Sequence, residues 1–246
     1  MARHKAGTGE EYQQKTKYTR ETIGSTDSGF VEQAEQFKQY PGARQVIPLS
    51  PSPPARGGSD FWQTVARRRS ERTFTGDELS RDELEMLVFA TQGVTAKHAG
   101  YLLRTAPSAG ALYPVETYLM VNRVVSLAAG IYHLNVAVNC LELLRTGDFS
   151  EQLASAALGQ QLVASGCVTF IWTAIPGRGA WKYGDRVYRY LYLDAGHIGQ
   201  NLYLAAVNLR LGCCTIGAFY DDEVNGIVGA DGTMETAVYM GVVGRV

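Results

Sequence analysis

The stretch from Trp181 to Gly212 constrains the fold of this chain more than any other part of its sequence. From about Arg186 to Leu209, apolar side chains recur at helical spacing and also fill the other sides. A helix that is apolar nearly all round is buried on most of its faces. About 24 residues would extend roughly 36 Å, enough to cross a domain and reach a second subunit. We therefore expect one long, buried scaffold helix, which Gly212 ends in a left-handed conformation.

Two side chains that can transfer protons, Lys182 and Tyr183, come just before this helix on a glycine-flanked turn. One interpretation is a reactive pair at the start of a scaffold helix. The other is a core helix that follows an ordinary surface loop. This stretch alone leaves both interpretations open.

Composition limits the class of protein. The chain has 246 residues, 46% hydrophobic and 19% charged, so it can bury a sizeable core. A net charge of -1 gives no general attraction to nucleic acid or to anionic membranes. No apolar run is long enough to span a membrane, and the N-terminus lacks the apolar core of a secretory signal. The four cysteines form no CxxC and the four histidines no HxxxH, so we expect no metal site and a cytoplasmic location.

The chain divides into a polar N-terminal arm, residues 1–58, and a folded domain, residues 59–246. In the arm, Glu32–Tyr40 could form a short helix, and Pro48–Gly58 is a linker or an extended strap. Ser59 is the expected cap of the first helix of the domain.

The domain mixes helices and strands without strict βαβ alternation, which indicates an α+β fold with a mostly antiparallel sheet. Ser80 and Glu83 form a capping box for a helix that Gly93 closes. The β-branched, apolar run Cys167–Ile175 suits a central strand buried on both faces. The other expected elements are strands at Glu116–Asn122 and Thr236–Val243, a hairpin of Gly130–His133 with Leu141–Leu144, and helices at Phe149–Leu158 and Asp221–Gly229.

An arginine cluster follows the first helix of the domain. Arg67, Arg68, Arg69 and Arg72 surround Ser70. On a nearly neutral protein this density suits a phosphate, because guanidinium groups bind its oxygens bidentately. The alternative is a solvated helix end, where the helix dipole favours cations. Arg245, after the last strand, is a further candidate phosphate ligand.

Two loops consist of small residues. In Pro107–Pro114, the residues Ser108, Ala109 and Gly110 would let a flat ligand approach the backbone closely. Thr215–Ala218 is the second such loop. The alternatives are an ordinary tight turn and a plain connection. Nucleotide and hydrolase motifs are missing, since the sequence contains no complete dinucleotide fingerprint, Walker A motif or G-x-S-x-G elbow.

Together and in this order, these segments resemble the FMN-dependent nitroreductase superfamily, and within it the SagB-type dehydrogenase branch. The resemblance covers about Phe37 to Arg245, and Asp194 departs from it by replacing a glutamate expected before AGH. The segments that carry the resemblance are RRRSERTF (67–74), PSAGALYPVE (107–116), KYGDRVYRYLYLDAGHIGQNL (182–202), GCCTIGAFYDDEVN (212–225) and GVVGR (241–245).

The resemblance implies a nitroreductase-like fold, a homodimer with the long helix at its interface, and one FMN in each site between the subunits. It assigns the FMN phosphate and ribityl chain to Arg68, Arg69, Ser70 and Arg72, joined by Arg245. It assigns the isoalloxazine to Pro107, Ser108, Ala109 and Gly110, and the backbone N–H groups near its N5 and O4 to Gly217 and Ala218.

SagB-type members include azoline dehydrogenases, which oxidise azolines in ribosomally made peptides to azoles with hydride transfer to flavin N5. The resemblance makes Lys182 and Tyr183 the catalytic pair and implies a cyclodehydratase as a possible partner. A stand-alone NAD(P)H-dependent nitro or quinone reductase is the alternative enzyme. A flavin- or peptide-binding module without turnover is the alternative of another class.

Overall fold

The structure is a computed structural model that describes residues 8–16, 33–50, 60–98 and 100–246. Its helices are α1 Thr8–Lys15, α2 Phe61–Arg67, α3 Arg81–Gln92, α4 Ser150–Ala156, α5 Leu162–Ser165, α6 Gly177–Tyr183, α7 Val187–Asn208 and α8 Asp221–Val228. Its strands are β1 Gln45–Pro48, β2 Val94–His98, β3 Tyr101–Arg104, β4 Val115–Val121, β5 Gly130–Asn135, β6 Cys140–Thr146, β7 Val168–Ala174, β8 Leu211–Ile216 and β9 Thr236–Arg245.

A sheet of seven strands, in the order β1-β6-β5-β4-β7-β9-β8, organises the domain. Neighbouring strands in this sheet are antiparallel, and β2 and β3 form a separate hairpin. All seven residues of β7 are buried between β4 and β9, as expected for the apolar run Cys167–Ile175. The predicted α+β fold with a mostly antiparallel sheet is confirmed.

Helices cover both faces of the sheet, because side chains alternate along each strand. On β7, Phe170 and Trp172 pack with α3 and α7, whereas Ile171 packs with α4, α5 and α8. The Ser80 capping box at the start of α3 is confirmed, since Ser80 Oγ accepts from the Glu83 N–H at 3.2 Å and the Glu83 carboxylate accepts from the Ser80 N–H at 2.8 Å.

The predicted long helix is α7, and it lies against α3 and β8. One side of it is buried, while Tyr192 and Leu193 on the other side are 58% and 53% exposed. The prediction that Gly212 ends this helix is wrong. Arg210 takes the left-handed conformation, with φ 59°, because the chain turns directly from the helix into β8, where Gly212 pairs with Gly244.

The expected helix at Glu32–Tyr40 is also wrong for residues 33–40, which contain no helix. Their polar groups find partners on the domain instead. The Ala34 N–H donates to the Gly177 carbonyl at 3.2 Å, and the Lys38 ammonium pairs with Glu235. Further along, β1 adds to the sheet edge beside β6.

Glu32 and residues 51–58 of the predicted arm, and Ser59 at the start of the predicted domain, lie outside the described residues. Asp60 caps α2, where Ser59 was expected, by accepting from the N–H groups of Trp62 and Gln63 at 2.9 and 3.3 Å. The division of the chain after residue 58 stays a prediction.

A buried charge network anchors α6 to the sheet. Glu116 of β4 pairs with Arg178 of α6 and lies 2.9 Å from His133 Nε2, while His133 Nδ1 lies 2.8 Å from Glu142. Burial by itself would raise the pKa of Glu116, but Arg178, His133 and Arg104 together lower it to about 2. The Arg178 guanidinium also donates to the carbonyls of Glu35 and Tyr113, at 2.6 and 3.1 Å.

We expect Glu116→Gln to lower the free energy of unfolding by about 3–5 kcal/mol, because it leaves the Arg178 charge buried without its counter-ion. Urea unfolding at pH 7 measures this change. Because the folded-state pKa of Glu116, about 2, lies below its ordinary value of 4.5, its stabilisation is complete above pH 4.5 and is lost as the pH falls toward 2. The acid-unfolding curve of the variant should therefore be flatter than wild type in that window.

Asp222 is exposed, so Asp222→Asn is the matched control for loss of a carboxylate. This variant should unfold like wild type both at pH 7 and in the acid window. Equal unfolding free energies for wild type and Glu116→Gln would contradict the role of the Glu116–Arg178 pair.

Candidate functional site

The first small-residue loop lies beside the predicted reactive pair. Gly110 has a left-handed φ of 64°, and a Cβ at this position would come within 2.6 Å of Tyr183 Oη and 2.9 Å of Lys182 Nζ. Only glycine fits here without displacing the ends of those two side chains. The tertiary structure therefore joins two segments that are far apart in sequence.

The glycine-flanked turn expected for Lys182 and Tyr183 is wrong, because both residues lie in the last turn of α6. Pro176 precedes this helix, and Gly184, with φ 55°, ends it. Gly179 allows close packing on α7, since a Cβ there would come within 2.9 Å of Val187 Cγ2. These features hold α6 next to the start of α7.

Lys182 and Tyr183 differ in their surroundings. The Lys182 side chain is exposed, and its Nζ lies 5.3 Å from the centre of the Tyr183 ring. Tyr183 is half-buried and meets the Tyr190 ring edge-on, with ring centres 4.7 Å apart. The α7 contact fixes the ring of Tyr183, while the amine of Lys182 stays accessible.

Asp194 of α7 holds the loop in place. Its Oδ2 accepts from the Ser108 hydroxyl at 2.6 Å, and its Oδ1 accepts from the Ala109 N–H at 3.3 Å. The Ser108 oxygen in turn accepts from the Tyr113 N–H at 2.9 Å. In the sequence, Asp194 stands out only as a departure from a motif. The available signal for this contact was a carboxylate on the buried side of the helix.

The arginine cluster lies at the end of α2 and on the loop that follows. The Ser70 hydroxyl is 2.9 Å from Tyr203 Oη, and the Arg68 guanidinium lies 5.2 Å from the centre of the Tyr203 ring. Arg69 donates to the carbonyls of Ala66 and Arg68, and Arg72 donates to that of Ser70. Within the described residues, Arg67, Arg68, Arg69 and Arg72 form no ion pair with a carboxylate.

Tyr203 also connects the arginine cluster to the end of β8. The prediction of a loop at Thr215–Ala218 is wrong for Thr215 and Ile216, which pair with β9 in that strand. Its hydroxyl accepts from the Thr215 N–H at 2.9 Å, and Thr215 Oγ1 accepts from Tyr239 Oη at 2.6 Å. Gly217 and Ala218 follow directly after β8 and are exposed. The tertiary structure therefore brings together the cluster and the end of β8 through one tyrosine of α7.

Helix α7 carries both halves of the candidate site. Asp194 holds the Gly110 loop, and Tyr203, nine residues later, holds Ser70 and Thr215. At 1.5 Å per residue these two anchors are about 13.5 Å apart along the helix. The arrangement suits an elongated ligand with an anionic end near the arginines and a flat end near Gly110.

Arg245, the remaining candidate phosphate ligand, is engaged elsewhere. The prediction that it follows the last strand is wrong, because Arg245 is the last residue of β9. Its two terminal nitrogens donate to the Glu83 carboxylate at 3.0 and 2.8 Å. Burial opposes a lower pKa of Glu83, but the Ser80 hydrogen bonds and Arg245 outweigh it and lower that pKa. In this arrangement Arg245 ties the end of β9 to the start of α3.

Several cavities lie near these residues, and one of about 400 Å³ is lined in part by Arg72. A groove of about 430 Å³ between α2, α3 and α7 has Phe61, Phe89 and Leu204 among its lining residues. A third cavity, of about 200 Å³, lies beside α6 and is lined in part by Leu112 and Trp181. Leu112, two residues after Gly110 in the same loop, places this third cavity next to the loop.

The described part of the chain offers no cluster of three or more His, Cys, Asp or Glu side chains arranged to hold a metal ion. The four cysteines are free and buried. No described helix has both the length and the apolar character that a membrane crossing requires.

Comparisons with known proteins identify the family and the fold. Residues 65–245 match the family model described as the nitroreductase family. A protein of Methanocaldococcus jannaschii that is named as a nitroreductase is 37% identical over 164 residues, which cover 67% of this chain and 81% of that protein. The trifolitoxin-processing protein TfxB of Rhizobium leguminosarum bv. trifolii is 31% identical over 179 residues, which cover 69% of this chain and 48% of TfxB.

Two solved structures have a similar fold. A nitroreductase structure from Anabaena variabilis superposes with a TM-score of 0.73 at 35% identity, covering 85% of this chain and 43% of that one. A chain of the Escherichia coli microcin synthetase McbBCD complex with truncated pro-MccB17 superposes with a TM-score of 0.61 at 20% identity. That match covers 96% of this chain and 86% of the other, and it reflects the fold alone. The chain thus spans about half the length of TfxB and of the Anabaena protein.

Proposed function

This chain belongs to the nitroreductase family of oxidoreductases, and we propose that it is an FMN-dependent dehydrogenase of SagB type. The reaction is a two-electron dehydrogenation, with an azoline in a modified peptide as the substrate class. The observation that carries the proposal is the position of Lys182 and Tyr183 beside Gly110. The name of TfxB, a trifolitoxin-processing protein, supports a role in processing a toxin precursor. The resemblance to SagB-type dehydrogenases implies a peptide substrate and a cyclodehydratase as a possible partner.

The residues of the site fit FMN. Arg68, Arg69 and Arg72 have no carboxylate partner among the described residues and would hold the phosphate, together with the Ser70 hydroxyl. Arg245 would join them only if a phosphate shared or displaced the Glu83 carboxylate.

The two small-residue loops would take the flat part of FMN. Pro107, Ser108, Ala109 and Gly110 would line the isoalloxazine, and the exposed backbone of Gly217 and Ala218 would offer N–H groups at its polar edge. The Ala109 N–H is directed at Asp194, so the loop contributes mainly its surface and the close approach that Gly110 allows. When bound, FMN supplies the acceptor for two electrons.

Converting an azoline to an azole also requires that a proton leave a ring carbon, and a base must accept it. Lys182 Nζ and Tyr183 Oη both lie beside the Gly110 loop, so either could remove a proton from a substrate bound there. The exposure of Lys182 keeps it accessible to a large substrate such as a peptide.

A stand-alone NAD(P)H-dependent nitro or quinone reductase is the second candidate function. The 37% identity to the M. jannaschii protein that is named as a nitroreductase favours it. In such a reaction the substrate accepts electrons, and no protein base is needed at a substrate carbon. The two candidates therefore differ in their dependence on Lys182 and Tyr183.

We also propose a homodimer. The outer side of α7 exposes Tyr192 and Leu193, and α2 exposes Phe61 and Trp62, at 58% and 75%. Large exposed apolar patches mark interaction surfaces. A second copy of the chain would cover these side chains.

The double variant Arg68→Ala/Arg72→Ala should lose most of its FMN. Charge-assisted hydrogen bonds to phosphate contribute roughly 1.5–3 kcal/mol each, so the dissociation constant should rise by about 10²–10⁴-fold. Purified wild type should be yellow and release FMN on denaturation, and fluorescence titration measures the affinity. Arg44→Ala/Lys97→Ala removes the same charge from exposed positions and should keep the flavin. Full flavin retention in the Arg68/Arg72 variant would place the phosphate elsewhere.

Lys182→Ala and Tyr183→Phe should keep FMN but oxidise a thiazoline-containing peptide about 10²–10⁴-fold more slowly, because a general base is lost. NAD(P)H-to-quinone turnover in the same variants should change much less. Lys97→Ala, an exposed lysine of β2, is the control and should match wild type in both assays. Wild-type rates of peptide oxidation in both variants would rule out the proposed base.

Light scattering at micromolar concentration should give the mass of a dimer. An obligate interface of this kind buries more than about 2,000 Å² in total. Leu193→Asp places a charge on the exposed apolar side of α7 and should shift the population toward monomer. A monomer mass for the FMN-bound wild type would refute the homodimer.

A further inference from the structure

Asp194 is a buried polar residue to which the proposed function assigns no role. It is 4% exposed, and no salt bridge to a cation involves it among the described residues. A carboxylate in such a place is costly unless hydrogen bonds satisfy it. Burial raises the pKa of Asp194, and the bonds from Ser108 and Ala109, with His197 nearby, oppose that rise.

The bonds of Asp194 reach one end of a short segment, and Ser108 links that end to the other. Ser108 Oγ and the Ala109 N–H donate to the two carboxylate oxygens, at 2.6 and 3.3 Å. Ser108 Oγ also accepts from the Tyr113 N–H at 2.9 Å, which closes the segment from Ser108 to Tyr113 into a compact loop. The carboxylate thus fixes the hydroxyl that closes the loop.

The same segment sets the distance to the reactive pair. Gly110 lies inside it, and the space for a Cβ there is already taken by Tyr183 Oη and Lys182 Nζ, at 2.6 and 2.9 Å. A movement of the segment by about 1 Å would therefore change the spacing between the loop and the two side chains. Displacements of this size can cost about 10²-fold in rate.

We propose that Asp194 is a positioning residue, whose carboxylate holds the Ser108–Tyr113 loop on α7 and thereby sets the spacing between Gly110 and the Lys182–Tyr183 pair. The catalytic consequence rests on the proposed function. The structural part, the fixed loop, does not.

Replacing Asp194 by asparagine, its amide isostere, tests this role, because the two carboxylate oxygens face two donors, the Ser108 hydroxyl and the Ala109 N–H. In Asp194→Asn, one orientation places the amide NH₂ against the Ala109 N–H. The other places it against Ser108 Oγ, which then loses its own acceptor. The first orientation loses the Ala109 bond, and the second reverses the Ser108 bond and leaves the Ser108 O–H without its acceptor, while the volume of the side chain is nearly unchanged.

Amide hydrogen exchange measured by NMR on the full-length protein is the first readout. Asp194→Asn should accelerate exchange at Ala109 and Tyr113 by at least about tenfold, with β7 amides unchanged. Asp194→Glu keeps two acceptor oxygens and should restore most of the protection. Exposed Asp222→Asn, with the same change of charge, should leave both amides as in wild type. Unchanged exchange at both amides in Asp194→Asn would overturn the inference.

Kinetics give the second readout. Asp194→Asn should lower kcat by about 10–100-fold with little change in KM, and the absorption band of the bound flavin should shift. Ser108→Ala should behave similarly, and combining it with Asp194→Asn should add little, because both substitutions break the same bond. A loosened loop with wild-type kcat would overturn the positioning role.

The two readouts separate failure of this inference from failure of the proposed function. If the wild type binds no FMN, the proposed function fails, and amide exchange still decides whether Asp194 holds the loop. If the wild type turns over and Asp194→Asn equals it in exchange and kcat, the inference alone fails. Circular dichroism verifies that each variant is folded, and Ser108→Ala replaces Asp194→Asn as the test if the latter does not fold.

Discussion

The candidate site depends on two polar side chains on the buried side of helix α7. Asp194 and Tyr203 are buried on α7, where an unpaired polar group would be costly. Asp194 accepts from the Gly110 loop, and Tyr203 bonds to Ser70 and Thr215. The apolar side chains of α7 fix the helix in the core. Asp194 then fixes the Gly110 loop, and Tyr203 fixes the Ser70 loop and the end of β8.

A second constraint fixes the position of Lys182 and Tyr183, the proposed reactive pair. Helix α6 is short, and the Glu116–Arg178 pair holds it against β4 inside the protein. Residues 33–40 close this network from outside, because the carbonyl of Glu35 accepts from Arg178. The position of Lys182 and Tyr183 thus depends on charges at the other end of the same helix. A flexible loop would not hold two side chains beside Gly110 as reproducibly.

Much of the fold was predictable, because it follows from local patterns. The Ser80 capping box, the buried strand β7, the β5–β6 hairpin and helix α7 each follow from spacing and residue type. The errors fall where tertiary partners outweigh local preference. Residues 33–40 bond to the domain instead of to one another, and Arg210 takes a left-handed conformation that a glycine would adopt more easily. Arg245 was predicted as a phosphate ligand, and its pairing with Glu83 could not be read from the sequence.

By itself, the sequence determined the class of fold, the scaffold helix and the chemical types in the site: guanidinium groups, small-residue loops and a Lys-Tyr pair. These depend on side-chain identity and on periods of two and 3.6 residues, which a sequence states directly. Only the tertiary structure decided that Gly110 meets Lys182 and Tyr183, that Asp194 holds the loop, and that Tyr203 joins Ser70 to Thr215. Such contacts join residues 12 to 133 positions apart, and the packing of α6 and α7 in the domain brings them together.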